Sequence, residues 1–129
     1  MRNKLFTALR QELPEHVAMS TTDNAVPASF PHVALVQKNS YIYRDGIDSE
    51  RIGNMTRVMY EISIFTDDLH GRSDKAWALA EIVDNFMERN GFVRSYGDGH
   101  TDSARGGVFR VFLRYLAVID NRDGTVYVN

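Results

Sequence analysis

The stretch Val108 to Asp120 (VFRVFLRYLAVID) constrains this chain more than any other. Its odd positions, Phe109, Val111, Leu113, Tyr115, Ala117 and Ile119, are apolar without a break. A period of two over that length is a β-strand with one face in a core. The even positions read Arg110, Phe112, Arg114, Leu116 and Val118, so the opposite face also carries large apolar groups. A face left wholly to water would be polar. Either the N-terminal helix or the C-terminal tail covers it, or a partner or second copy does. Arginine beside aromatic and aliphatic side chains is the composition of interface cores.

The remaining segments supply what such a strand packs against. Leu5, Phe6, Leu9 and Leu13 recur at helical spacing and Pro14 ends the pattern, predicting a helix over 2–13. Residues 15–31 hold Pro27 and Pro31 among small polar residues and read as an irregular connection. His32 to Gln37 is a short apolar strand, and residues 38–54 read as a long polar loop containing Tyr41 and Tyr43. Met55 to Thr66 alternates, with Val58, Tyr60, Ile62 and Ile64 on one face and Arg57, Glu61 and Ser63 on the other. The main helix is expected over 72–90, with Ser73 as N-cap and Asn90-Gly91 as the stop. A strand over 92–96, a Gly- and Asp-rich hairpin tip over 97–107, and a short tail after Gly124 complete the chain. The expectation is a single α+β domain over 1–129. It has a small antiparallel or mixed four-stranded sheet, order α-β-β-α-β-β, and helices on one face.

Composition narrows the function classes. With 129 residues the chain suits one domain, large enough to bury roughly two thirds of its unfolded surface. A formal charge of −2 argues against a generally basic nucleic-acid coat. With no cysteine there is no thiolate metal site, thiol nucleophile or disulfide framework. No run approaches the roughly 20 apolar residues of a membrane span, and the opening MRNKLFTALRQELPEH lacks the apolar stretch of a secretion signal. An intracellular globular domain is the expectation. Of the 15 basic residues 12 are arginine, a bias that fits an interface and fits a GC-rich genome equally well.

No catalytic constellation emerges. Glu61, Asp67, Asp68 and Asp74 are the one acidic grouping that a metal-dependent nuclease would use, yet Asp67-Asp68 fits a strand end and Asp74 a helix start. His16, His32, His70 and His100 show no metal-ligand spacing, and the glycines at 97, 99, 106 and 107 form no phosphate-binding motif. No cofactor or metal is expected.

The segments FPHVALVQ, RVMYEISIFTDD, AWALAEIVDNFMERNGFVRSYG and VFRVFLRYLAVID, spanning Phe30 to Asp120 and about two thirds of the chain, carry a resemblance. In their order, in the YxIxI-type strand running into a helix, in the GF pair after it, and in the final apolar-Ile-Asp ending, the chain resembles the tail terminator, or tail completion, proteins of long-tailed bacteriophages. The resemblance implies a non-enzymatic subunit of a sixfold ring. Such a ring ends polymerisation of the tail tube at its head-proximal end and joins tail to head. Implied partners are other copies, the tail tube protein and neck or connector proteins, with genomic DNA passing the lumen unheld and no membrane involved. The implied location is the tail-neck junction of a virion assembled in host cytoplasm. The residues expected at subunit or partner contacts are Arg110, Phe112, Arg114, Leu116, Tyr41, Tyr43 and Arg57. Another neck or head-completion component, the nuclease, and a ligand-binding host module are the alternatives.

Overall fold

The computed structural model of the chain describes residues 2–21, 30–42, 55–67, 72–102, 108–120 and 125–127. The elements are α1 (Arg2–Glu12), β1 (Ala18–Ser20), β2 (His32–Ile42), β3 (Met55–Thr66), α2 (Arg72–Arg89), β4 (Val93–Asp102), β5 (Val108–Asp120) and β6 (Thr125–Tyr127). The class is α+β, as strands in adjacent pairs with helices between them imply. The sheet is mixed and follows the path β1-β2-β3-β5-β4, with only β1 and β2 parallel.

β5 is the spine. One side pairs with β3 over its whole length, from Phe109 opposite Thr66 to Asp120 opposite Met55. The other side pairs with β4 from Val108 to Leu116 and then with β6 from Val118 to Asp120. β4 and β6 therefore share one lane, end to end. On the core face Val58, Tyr60, Ile62 and Ile64 of β3 join Val111, Leu113, Tyr115 and Ala117 of β5. Leu5, Leu9 and Leu13 from the N-terminal segment and Ala76, Leu79, Ala80, Val83, Phe86 and Met87 of α2 close over them in one cluster. This is the helical stripe expected of an amphipathic element laid on a sheet.

Local contacts explain the helix ends. Arg10 donates to the carbonyl oxygens of Val17, Leu13 and Pro14, tying the segment that follows α1 back onto the helix. At the end of α2 the Phe92 N–H bonds the Met87 carbonyl at 3.0 Å and the Gly91 N–H bonds that of Glu88 at 3.0 Å. Gly91 has φ 84°, so this is a Schellman stop in which glycine avoids the strain of a left-handed residue. Phe92 then turns inward and meets Tyr60 edge-on at 5.6 Å.

Four expectations are corrected. Four strands become a five-strand path plus β6, because β1 and β6 have three residues each, too few to show alternation. The connection over 15–31 contains β1, which pairs with His32–Ala34. β2 runs on to Ile42, so the loop expected over 38–54 begins later: the polar Lys38-Asn39-Ser40 ends the apolar run but not the pairing with β3, which continues past a bulge between Gln37 and Asn39. β4 extends to Asp102, through glycines that the sequence suggests as a hairpin tip. Gly97 and Gly99 pair with Leu113 and Val111, on the core side of the sheet edge. A Cβ on Gly99 would lie 2.8 Å from Cζ2 of Trp77 and 3.0 Å from Cζ of Phe109. Both are strand residues: Gly99 leaves room for Trp77 of α2, and Gly97 for Leu113 of β5.

Trp77 is the chain's single tryptophan and is 43% exposed. Gly99→Ala should push its indole outward, shifting fluorescence to longer wavelength, and lower stability by about 1 kcal/mol through lost packing. An unchanged emission spectrum would show that the ring does not rest on β4.

Candidate functional site

The second face of the sheet is built by the other half of each alternating strand. Register places Met59 beside Leu116, Glu61 beside Arg114, Ser63 beside Phe112 and Phe65 beside Arg110. β4 adds Tyr96 opposite Arg114 and Asp98 opposite Phe112. β2 adds Ala34 opposite Ser63 and Val36 opposite Glu61. At one end a small apolar group forms from Ala34, Phe65 and Val108, with Phe30 and Val36 against it. Among the described residues no helix packs here, since the stripes of both helices belong to the core cluster.

Two arginines organise the centre. Nε and Nη2 of Arg114 both donate to one oxygen of Glu61, at 3.1 and 2.8 Å, while Lys38 stands 3.7 Å from the other oxygen. Arg110 donates through Nε and Nη2 to the Ser63 hydroxyl at 3.1 and 2.8 Å. Phe112 lies between the two guanidinium groups, 5.1 Å from that of Arg110 and 5.6 Å from that of Arg114. Arg110 also covers Phe65 at 5.5 Å, Arg114 covers Tyr96 at 5.9 Å, and Tyr96 meets Phe112 edge-on at 5.8 Å. The result is a stacked row, Phe65, Arg110, Phe112, Arg114, Tyr96. Cation–π contacts contribute about 0.5–1 kcal/mol each at exposed sites. The charge-assisted bonds to the Glu61 carboxylate, only 11% exposed, contribute about 1.5–3 kcal/mol and outweigh them. A cleft of about 270 Å³ opens beside the row, lined by Tyr96, Asp98, Arg110, Phe112 and Arg114.

The expected contact residues fall as follows. Arg110, Phe112, Arg114 and Leu116 share this face, half-buried. Arg57 joins them opposite Val118, and Tyr41 pairs with Arg57 in β2, its side chain beyond the described part. Tyr43 lies outside the described residues. Lys38, Phe65, Tyr96 and Asp98 belong to the face as well and were not singled out from sequence. The signal for Tyr96 and Asp98 was masked by the β4 glycines and by a bulge between Arg94 and Tyr96.

Among the described residues the acidic grouping does not converge. Glu61 is committed to Arg114 and Lys38 on the sheet face. Asp67 is exposed just past β3, about 20 Å along the strand from Glu61. Asp74 is exposed in the first turn of α2, and Asp68 lies outside the described residues. Among the described residues no three His, Cys, Asp or Glu side chains are grouped as metal ligands would be. His32 bonds the Ser20 hydroxyl at 2.8 Å, and burial lowers the imidazole's pKa, favouring its neutral form.

On the opposite side of the sheet Tyr115 donates to Asp84 at 2.9 Å, with Arg94 3.7 Å from the same carboxylate. Burial first, and then the bond to Asp84, push the phenol well above its ordinary value of 10.0. Comparison with family models and with curated protein sequences finds no match for this chain.

Removing the Glu61 carboxylate leaves a half-buried guanidinium without its acceptor. Glu61→Ala should cost about 1–3 kcal/mol in urea unfolding, and Arg114→Lys should also be destabilising, because an ammonium reproduces neither the fork nor the stacking. A Glu61→Ala protein as stable as the parent would show that the pair contributes nothing. The raised Tyr115 pKa has a definite sign. Above pH 10 the unfolded phenol loses its proton while the folded one keeps it, so stability falls by up to about 1.4 kcal/mol per pH unit. Tyr115→Phe should remove that part of the alkaline loss, measured as the slope of unfolding free energy between pH 10 and 11.

Proposed function

We propose that this chain is a structural subunit of a phage or phage-like particle, forming a homo-oligomeric ring at the head-proximal end of the tail tube. There it ends tube growth and joins tail to head. The observation that carries the reading is the helix-free sheet face with its row of Phe65, Arg110, Phe112, Arg114 and Tyr96. Arg110, Phe112 and Arg114 are half-buried, Tyr96 is exposed and Phe65 is buried. Arginine and aromatic side chains left accessible in this way are the groups that dominate contact energies between subunits. The resemblance of Phe30 to Asp120 to tail terminator proteins supports the same conclusion. The near-neutral charge suits a ring that DNA traverses without being held, since phosphate binding needs a cationic surface. A different neck component would use the same surface and differ in where along the particle it sits.

The strand's two faces make separable expectations. Phe112→Asp should leave a folded subunit, at a cost of about 1–2 kcal/mol, and lower its mass in light scattering from oligomer toward monomer. Leu113→Asp should fail to fold, because it buries a carboxylate among Tyr60, Ile62 and Val111. Electron microscopy of the purified protein should show closed rings, and of its particles a density at the tube end. A monomer at every concentration with no tube-end location overturns the reading. Magnesium-dependent cleavage of plasmid DNA that is lost in Asp67→Ala would replace it with the nuclease.

A further inference from the structure

Among the described side chains, the sheet face carries more cations than acids and the outer face of α2 carries acids. On the sheet face the described cations are Lys38, Arg57, Arg110 and Arg114, against Glu61 and Asp98. Arg110 and Arg114 stand four residues apart on β5, and Arg57 is paired with Val118, four residues further. Their backbone positions are spaced about 13 Å apart along the strands, and the guanidinium groups of Arg110 and Arg114 flank the Phe112 ring at 5.1 and 5.6 Å. Arg114 spends Nε and Nη2 on Glu61, leaving the Nη1 donors for a second acceptor.

The outer face of α2 is the complement. Asp74, Glu81 and Glu88 recur every seven residues, so they lie nearly in line along the helix about 10 Å apart, and all three are exposed. The exposed indole of Trp77 and the small Ala78 sit between the first two, with Asn85 between the last two. The basic residues of the helix fall to the side, where Arg89 pairs with Glu12 of α1 at 3.2 Å.

We propose that the open sheet face of one subunit seats the outer face of α2 from the next copy, with Asp74, Glu81 and Glu88 against the arginine line and Trp77 as the apolar anchor. The contact is heterologous: each subunit offers its sheet to one neighbour and its helix to the other, the type of contact that a ring requires and that closes when the rotation between copies divides a full turn. It rests on the ring reading above and specifies which surfaces make it.

The test uses two charge-reversed proteins. One carries Glu81→Lys and Glu88→Lys, the other Lys38→Glu and Arg57→Glu, with Arg57→Glu alone in reserve if the pair does not fold by circular dichroism. Alone, each should associate at least about tenfold more weakly than the parent, since like charges face each other at every contact. Mixed in equal amounts they should recover the parental mass in light scattering, because each helix then meets a sheet of opposite sign; a sixfold ring would hold three of each. Parental association should also weaken from 0.1 to 1 M salt. If both variants keep the parental mass, or the mixture stays dissociated, the contact is wrong while the ring survives. Loss of assembly only in the sheet variant would mean that copies meet sheet to sheet and would overturn the proposal. A parental protein that is monomeric throughout overturns both this contact and the ring.

Discussion

The antiparallel pairing of β3 with β5 is the constraint on which the rest depends. It runs unbroken from Met55 opposite Asp120 to Thr66 opposite Phe109, with no bulge to change the parity of either strand. Because side chains alternate, that register decides every neighbour at once. Tyr60 beside Tyr115 and Ile62 beside Leu113 go under the helices, and Glu61 beside Arg114 and Ser63 beside Phe112 go to the other side. A slip of one residue would bury Arg114 in the core and expose Leu113. The large cost of that exchange is what fixes the two faces.

The second face is held together by polar groups paired within the chain, which explains how arginine can sit half-buried there. Glu61 takes the Arg114 fork, Ser63 takes that of Arg110, and the aromatic rings fill the space between. A surface fixed in this way before contact loses less side-chain freedom when a partner arrives, which favours a definite geometry over a loose hydrophobic patch.

Much of this was legible in the residues, and what was not has physical causes. β3 and β5 carry strict alternation over long stretches, and α2 carries both a stripe and a Gly91 stop, so their bounds and faces could be read directly. β1 and β6 were missed because three residues contain no period, and their strand character comes from what they pair with. β4 was cut short at Tyr96 because glycine ordinarily signals a turn, whereas Gly97 and Gly99 are small for Leu113 and Trp77. Parity alone puts Arg57, Arg110, Phe112, Arg114 and Leu116 on one side of the sheet. Tyr96 and Asp98 needed the β4 register, which a bulge obscures.

β1 covers β2 only from His32 to Ala34, so among the described residues the outer rim of β2 from Leu35 onward pairs with nothing. An open rim of backbone N–H and C=O groups is a template on which strands of other molecules add without limit. Here the rim is interrupted by the bulge between Gln37 and Asn39, at the position of an exposed lysine, Lys38. A broken hydrogen-bond ladder and a charge are two of the devices by which sheets refuse edge-to-edge growth. A contact made through the arginine-rich face is therefore made face-on and not by adding strands to this rim.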